Sequence, residues 1–489
     1  MFTSAHLLAL SPLIILSASA TLLMLLIAFS RHHDLNATFT VVGLMATLFA
    51  TLGLWYWIPQ GNAVQVTELL VVDRFSCFFG TLMLVTTLAC CTLSHTYLKD
   101  FPGNREELYL LLLLSLIGAL VLVSSRHFAS LFVGLELLSM PIYGLVAYHR
   151  KNPRSLEAGI KYLVLSAVGS ALMLFGMALL YAQCGTLSLP EMGQQLASMG
   201  DDLPAMALAG CTLVLVALAF KLSLVPFHLW TPDVYEGAPA PAGVYLATVA
   251  KIAVVAILLR WVYWFPVFES TALQYLLMLF AGLSMLVGNL LAMLQDNLKR
   301  LLGYSSIGHL GYLITAVAAF NFTSLQSSMI YIFTYTFATL AAFGVLSVVS
   351  ISHKPETGHA DADHLDHYRG LFWKQPYLAV IMTVAMLSLA GMPMNMGFIG
   401  KLYVILAAIN SSMWWLLAIV VISSGIGLFY YLRVMVTLFQ QEPGVRRLRV
   451  PFDWSRSACG AMLMVTAILI MVLGVYPQPM LELVRLGMP

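Results

Sequence analysis

The chain predicts an all-α membrane protein of about fourteen transmembrane helices, holding two inverted five-helix repeats that each contain a broken helix. Three observations carry this expectation. Of 489 residues, 60% are hydrophobic and 9% charged, against about 25% charged in ordinary globular domains. Apolar runs of spanning length, about 20 residues each, recur along the whole sequence. Two of those runs are interrupted by proline or glycine and lie five spans apart, and an odd repeat length turns the second unit over in the membrane.

In order, the runs are 7–29, 37–58, 75–97, 107–125, 128–148, 157–182, 204–226, 240–262, 271–294, 301–320, 326–350, 376–408, 413–440 and 458–482. No small-residue cleavage site closes the first, so it reads as a retained span. The sixth is long and accommodates by tilting. In the seventh, Pro226 follows Lys221 by five residues. Its missing N–H cannot reach the Leu222 carbonyl, so the helix breaks or kinks there. The twelfth contains Gly391, Pro393, Gly397 and Gly400 and is interrupted too. The expected division is 1–106 for the first three spans, 107–262 and 271–440 for the two repeats, and 441–489 for the last span.

Basic residues set the orientation. Loops after odd-numbered spans hold Arg31, Lys99, Arg105, Arg150, Lys151, Arg154, Lys299, Arg300, Lys354, Arg369, Lys374, Arg446, Arg447, Arg449 and Arg456. The opposite loops and the C-terminus hold only Arg74, Arg126, Arg260 and Arg485. This bias places both termini outside the cytoplasm. Of the 24 basic residues, those that remain are Lys161, Lys221, Lys251, Lys401 and Arg433, all within spans. Among the acids only Glu136 lies well inside a span, while Glu157 starts the sixth.

A lysine that follows sixteen uncharged residues, as Lys221 does, is costly in a bilayer, by roughly 2.5–3.5 kcal/mol at its centre. Lys251, near the middle of its run, cannot snorkel easily, and neither can the short Glu136. A buried lysine suits proton relay because desolvation disfavours its charge while a nearby carboxylate favours it. Glu136 is the expected partner of Lys221. Lys161, close to a helix start, either snorkels to the interface or serves the relay; Arg433 snorkels. His309, among Tyr304, Ser305 and Ser306, either carries a proton wire or makes interhelical hydrogen bonds. His228, just past Pro226, is a relay or gate residue.

Other classes are excluded or disfavoured. The net charge of +2 and the absence of a basic patch give no nucleic-acid surface. The cysteines Cys77, Cys90, Cys91, Cys184, Cys211 and Cys459 lack zinc, haem or iron–sulfur spacing, and no Gly-rich dinucleotide fingerprint is present. His353, His359, His364 and His367 lie among acids in one loop, which reads as a solvated cytoplasmic loop more readily than as a metal collector. A purely structural subunit that seals and bridges its neighbours remains a rival from another class.

Three stretches, FKLSLVPFHLWTPDVYEGAPAP, NLKRLLGYSSIGHLGY and SLAGMPMNMGFIGKLY, resemble the antiporter-like membrane subunits of respiratory complex I and of cation/proton antiporter complexes. The resemblance runs over most of the chain. Glu136 in LFVGLELLSMP and Lys161 in LEAGIKYLVLSA look like the bacterial NADH:quinone oxidoreductase branch, and Lys401 stands where the sister subunit M carries a glutamate. The nearest alternatives are a Na+/H+ antiporter subunit and a membrane-bound hydrogenase subunit.

The resemblance implies proton translocation through two half-channels joined by a polar axis at the membrane midplane. Glu136 and Lys221 would form one half-channel, Lys251 the central connection and Lys401 the second. It raises Lys161 to a working member and brings in His228 and His309. Asn395 stands where relatives often have a smaller or hydroxylated residue. No cofactor or metal is expected in this chain. NAD, FMN, iron–sulfur clusters and quinone would belong to partner subunits, the neighbours being subunit M and the small subunit K. A bacterial inner-membrane location with periplasmic termini follows.

Overall fold

A computed structural model describes residues 3–99, 103–199, 203–265, 271–320, 322–357, 361–440 and 457–488. Among these, 11 helices are long and apolar enough to cross a membrane. The chain opens with α1 (Ser4–Ala9), α2 (Ser11–Phe29) and α3 (His33–Trp57). A small antiparallel hairpin follows, β1 (Ala63–Gln65) with β2 (Val71–Asp73), in the register Ala63 opposite Asp73. This hairpin departs from the all-helical expectation, since the loop 59–74 was too short and polar to be read as strands.

The helices then run α4 (Arg74–Leu98), α5 (Glu107–Val123), α6 (Phe128–Val146), α7 (Pro153–Cys184), α8 (Leu189–Ser198) and α9 (Ala205–Leu222). After them come α10 (Trp230–Gly237), α11 (Ala240–Ala247), α12 (Val249–Trp264), α13 (Thr271–Met293), α14 (Leu298–Val317) and α15 (Phe322–Thr357). The last are α16 (Leu371–Lys374), α17 (Pro376–Ala390), α18 (Met396–Asn410), α19 (Trp414–Phe439), α20 (Ala458–Val475) and α21 (Gln478–Leu486).

Local chemistry starts several of these helices. Asn152 accepts from the Arg154 N–H ahead of Pro153 in the first turn of α7, and Asn297 accepts from the Arg300 N–H to start α14. Such side chains satisfy N–H groups that the helix itself cannot. Where helices meet, small residues allow close approach. A Cβ on Gly118 of α5 would fall 2.2 Å from the Leu138 nitrogen of α6.

Burial grades from the centre outwards. The most apolar 18-residue stretch of Ala240–Trp264 is 100% buried and that of Thr323–Ile351 94%, whereas those of α2, α19 and α20 are only 33% buried. The first two therefore form the axis of the bundle, and the outer helices present apolar side chains to lipid. Lys251 lies on the axis. It does not lie mid-helix, however. The run at 240–262 is two helices that meet at Thr248 (φ −117, ψ −79), and Lys251 stands in the first turn of the second.

The two expected interruptions are built alike. At the end of α9, Ser223 is left-handed (φ 63), with Ser223 N–H donating to Phe220 and Leu224 N–H to Ala219. At the end of α17, Gly391 is left-handed (φ 79), with Gly391 N–H donating to Ser388 and Met392 N–H to Leu387. Both are Schellman stops, which satisfy the last carbonyls and turn the chain out of the helix.

Two buried ion pairs correct the reading of loop charges. Lys299 and Arg260 were assigned to loops, yet both are buried in helices. Lys299 reaches Asp361 at 2.5 Å, and Asp361 also accepts from the Tyr97 hydroxyl (2.6 Å) and the Ala240 N–H (3.1 Å). The start of the 361–368 stretch is thereby pinned onto α4, α11 and α14. Nearby, His364 pairs with Asp366 at 3.1 Å on the solvent side, while His359 and the side chain of His353 lie outside the described residues. Arg433, expected to snorkel, sits 3.6 Å from Asp296 and also donates to the Gln295 carbonyl.

Arg260 clamps Asp73 with two bonds, 2.9 and 2.8 Å. Burial opposes the Asp73 charge, but the guanidinium and the Ser76 hydrogen bonds outweigh it and hold the carboxyl below its ordinary value of 3.8. A depressed carboxylate pKa contributes stability that is present above the unfolded value and lost as pH falls through the folded one. Wild type should therefore exceed Asp73→Asn in thermal stability at neutral pH, with the gap closing only in acid below the usual carboxylate range. A gap independent of pH in a thermal melt series would refute this.

Candidate functional site

The buried amines are held by hydroxyls and backbone carbonyls. Lys221 is 6% exposed and occupies the last turn of α9. Its ammonium donates to Ser139 Oγ of α6 at 2.7 Å and to Ser166 Oγ of α7 at 2.6 Å. Ser166 also accepts from the Tyr143 hydroxyl at 2.7 Å. Glu136, one turn before Ser139 on the same face of α6, accepts a hydrogen bond from Ser170 of α7. The expected Glu136–Lys221 pair is thus not a direct ion pair among the described residues. Ser139 and Ser166 take the contacts with Lys221 that the carboxylate was expected to make, while Ser170 binds the carboxylate.

Lys251, 1% exposed, donates to Ser223 Oγ at 2.5 Å and to the Lys221 backbone carbonyl at 3.2 Å, and lies 5.1 Å from the Trp230 ring centre. The carbonyl is available because Val225, whose N–H would bind it in an uninterrupted helix, donates to Ser284 Oγ instead (2.9 Å). The break in span seven therefore provides both acceptors for the lysine of span eight. His228 sits in the connection between α9 and α10, buried, and its Nδ1 has no partner among the described residues. Such an atom marks a place where a mobile hydrogen-bonding species can be received.

Lys401 repeats the pattern in α18. It donates to the Ala390 carbonyl at 2.8 Å, next to the Gly391 stop, and its ammonium lies 5.0 Å from the Tyr312 ring centre. A Cβ on Gly391 would come within 2.6 Å of the Lys401 side chain, so the glycine serves both the turn and the lysine. Asn395, in the same break, is buried with Oδ1 unpartnered among the described residues.

His309 joins two helices through tyrosines: Nδ1 to the Tyr331 hydroxyl of α15 (2.7 Å) and Nε2 to the Tyr431 hydroxyl of α19 (2.9 Å). Ser305 also bonds Tyr431, and Tyr335 donates to Ser306 at 2.8 Å. These contacts tie α14 to α15 and α19, the interhelical reading of His309. No hydrogen bond among the described residues connects Lys251 to this cluster.

Lys161 lies elsewhere. Its side chain is 43% exposed and bonds Glu157 (2.7 Å) and Asp233 (2.9 Å). Arg300 reaches Asp233 and Glu236, both at 2.8 Å. This acid–base cluster sits at the surface end of α7 and α10 and lines a cleft with Arg154. Ser305 and Ser306 are legible beside His309, but Ser139, Ser166, Ser170, Tyr331, Tyr335 and Tyr431 are not singled out by the sequence, although Ser166 with Ser170 and Tyr331 with Tyr335 have the four-residue spacing that places side chains on one helix face.

Ser223 gives a direct test of this geometry. A non-glycine residue in the left-handed region costs roughly 1–2 kcal/mol, and its hydroxyl faces Lys251. Ser223→Gly should keep or slightly raise thermal stability while slowing proton transfer by about tenfold, the effect of one charged hydrogen bond. Unaltered transport in a stable variant would remove the hydroxyl from the route.

Residues 125–427 match the profile of the family described as NADH:quinone oxidoreductase/Mrp antiporter, TM. NADH-quinone oxidoreductase subunit N of Ectopseudomonas mendocina (strain ymp) is 53% identical over 489 residues, covering 99% of this chain and 97% of the relative. The protein of the same name from Chromohalobacter salexigens is 53% identical over 479 residues, covering 98% of each. Among solved structures, a chain of respiratory complex I from Thermus thermophilus with bound aureothin superposes with a TM-score of 0.81 at 33% identity, covering 96% of this chain and 98% of that one. A chain of the Mrp complex from Dietzia sp. DQ12-45-1b shares the fold alone, with a TM-score of 0.84 at 20% identity and coverage of 98% and 97%. By sequence over its whole length and by fold, the chain belongs to the antiporter-like membrane subunits of NADH:quinone oxidoreductase, in the subunit N family.

Proposed function

We propose that this chain moves protons across a bacterial inner membrane through Glu136, Lys221, Lys251, His309 and Lys401, driven by NADH oxidation and quinone reduction in partner subunits. The observation that carries this reading is the way Lys221, Lys251 and Lys401 are held, in contrast to the fourth buried lysine, Lys299, which is paired with Asp361. Lys221, Lys251 and Lys401 are each bound by hydroxyls or carbonyls, with no carboxylate within ion-pair distance among the described residues. Such partners accept a hydrogen bond from either the charged or the neutral amine, so they fix the position of the nitrogen without fixing its charge. A carboxylate contact would lock the charged form.

In this reading Glu136 supplies a charge that Lys221 feels without a direct contact, and Lys251 lies between the two half-channels. Lys161, with Asp233, Glu236 and Arg300, would gather protons at the surface, and His228 would relay or gate beside the first break. The reading has fourteen spans with both termini periplasmic, adding α5, α14 and the joined α17 and α18 to the 11 long apolar helices. The matched Schellman stops at Ser223 and Gly391, each followed by a lysine seated on a nearby carbonyl, support the inverted repeats 107–262 and 271–440. NAD, FMN, iron–sulfur clusters and quinone fall to other subunits, and subunits M and K are the expected neighbours.

Sodium transport is the competing reading, and the donor set speaks against it. Sodium and similar hard cations are held by oxygen cages, whereas the buried groups here are ammonium donors, which repel a cation. In proteoliposomes of the assembled complex, Glu136→Gln and Lys401→Met should each lower proton transport by this chain about 100-fold without loss of assembly. Transport should persist when sodium is replaced by choline. Normal proton transport in both variants, or a strict sodium requirement, would overturn the proposal.

A further inference from the structure

Arginine is scarce on one face of this protein. The sequence assigns only Arg74, Arg126, Arg260 and Arg485 to that face, Arg260 lying within α12, and the first three line a single cavity of about 290 Å³. Its other walls come from the loop residues Gly61 to Ala63, from Val71, Asp73 and Phe75, and from Tyr263 and Trp264 at the end of α12. Chance placement of scarce residues does not favour such convergence, and like charges gathered in one cleft repel unless an anion joins them.

The donors are accounted for only in part. Arg260 spends its two terminal nitrogens on Asp73, the sole acid in the lining. Its Nε is buried without a partner among the described residues, in a residue 4% exposed. Arg74 uses Nε on the Ile58 carbonyl at 2.9 Å, and Arg126 uses one terminal nitrogen on Gln65. No described residue accepts from the remaining guanidinium nitrogens of Arg74 and Arg126. With Asp73 offsetting one charge, the lining carries an excess of two positive charges. Guanidinium forks match phosphate oxygens in geometry as well as charge.

The setting selects the source of that phosphate. Tyr263 is 56% exposed and Trp264 half-buried beside it, on the end of a helix of spanning hydropathy. Aromatic rings with one polar edge concentrate at the level of lipid headgroups. We propose that this cavity binds the phosphate of an anionic phospholipid, with Arg74 and Arg126 as its principal donors and Tyr263 and Trp264 flanking the glycerol and upper acyl region. None of these residues takes part in the proton route, so the site is separate from it.

The test uses the whole oxidoreductase complex, purified and exchanged into neutral phosphatidylcholine nanodiscs, then titrated with phosphatidylglycerol and examined by native mass spectrometry. Wild type should retain phosphatidylglycerol that Arg74→Gln/Arg126→Gln loses, with apparent affinity down at least tenfold. The Arg74→Lys/Arg126→Lys complex should keep part of it. Equal retention by wild type and the glutamine variant would overturn the proposal. Displacement of the bound lipid by millimolar inorganic phosphate would also overturn the lipid assignment, making the site one for free phosphate. Should the glutamine variant fail to assemble, photoactivatable phosphatidylglycerol on the wild-type complex decides. Adducts on 259–264 or on 71–75 support the site, and adducts only elsewhere refute it.

Discussion

Lys251→Met should assemble into the complex, leave the redox reaction in place, and slow proton passage through this chain by about 100-fold, the lower range for loss of a proton-transfer group. Methionine matches lysine in length and flexibility, so packing around the axis is largely kept. What disappears is the amine that touches both the Lys221 carbonyl and Ser223, at a position only 1% exposed. The measurement is proton uptake by proteoliposomes against NADH oxidation in the same preparation. A complex with the wild-type ratio of protons to electrons would place the route elsewhere.

Asp361→Ala should destabilise the chain by about 3–5 kcal/mol, because it strands a buried ammonium without its counter-charge. Lys299 and Asp361 are 3% and 6% exposed, and the lysine also donates to the Ala238 carbonyl at 2.8 Å. Losing the aspartate removes bonds to α4 and α11 as well. The double change Lys299→Met/Asp361→Leu should recover most of the loss, since replacing both members of a buried pair by apolar residues is often neutral or better. Thermal inactivation and yield of the assembled complex read both effects. If the single variant melted with wild type, the ion pair would not be the anchor described here.

Hydropathy and charge sufficed for much of this architecture. Runs of apolar residues located the helices because a bilayer demands them. Proline and glycine marked the breaks at Lys221 and Gly391 because each interrupts the backbone in its own way. Subtracting loop charges left Lys161, Lys221, Lys251, Lys401 and Arg433, of which Lys221, Lys251 and Lys401 are buried. What stayed illegible depended on contacts between distant segments. The Lys299–Asp361 pair spans 62 positions and Asp73–Arg260 spans 187, and no local pattern couples them. The kink at Thr248 has neither proline nor glycine at its centre. The serines holding Glu136 and Lys221 were overlooked because a hydroxyl in an apolar helix usually bonds its own backbone, as Thr47 and Thr86 do here.

The carbonyls of Lys221 and Ala390 have a genetic consequence. They receive Lys251 and Lys401 only because the helices stop beside them, and every residue type supplies a carbonyl. Side-chain scanning at positions 221 and 390 leaves these acceptors in place, so a mutational screen will not register them as members of the route. They can be edited only by changing where the chain leaves the helix, at Ser223, Pro226 or Gly391. Selection on those turn residues is therefore also selection on the seats of two lysines.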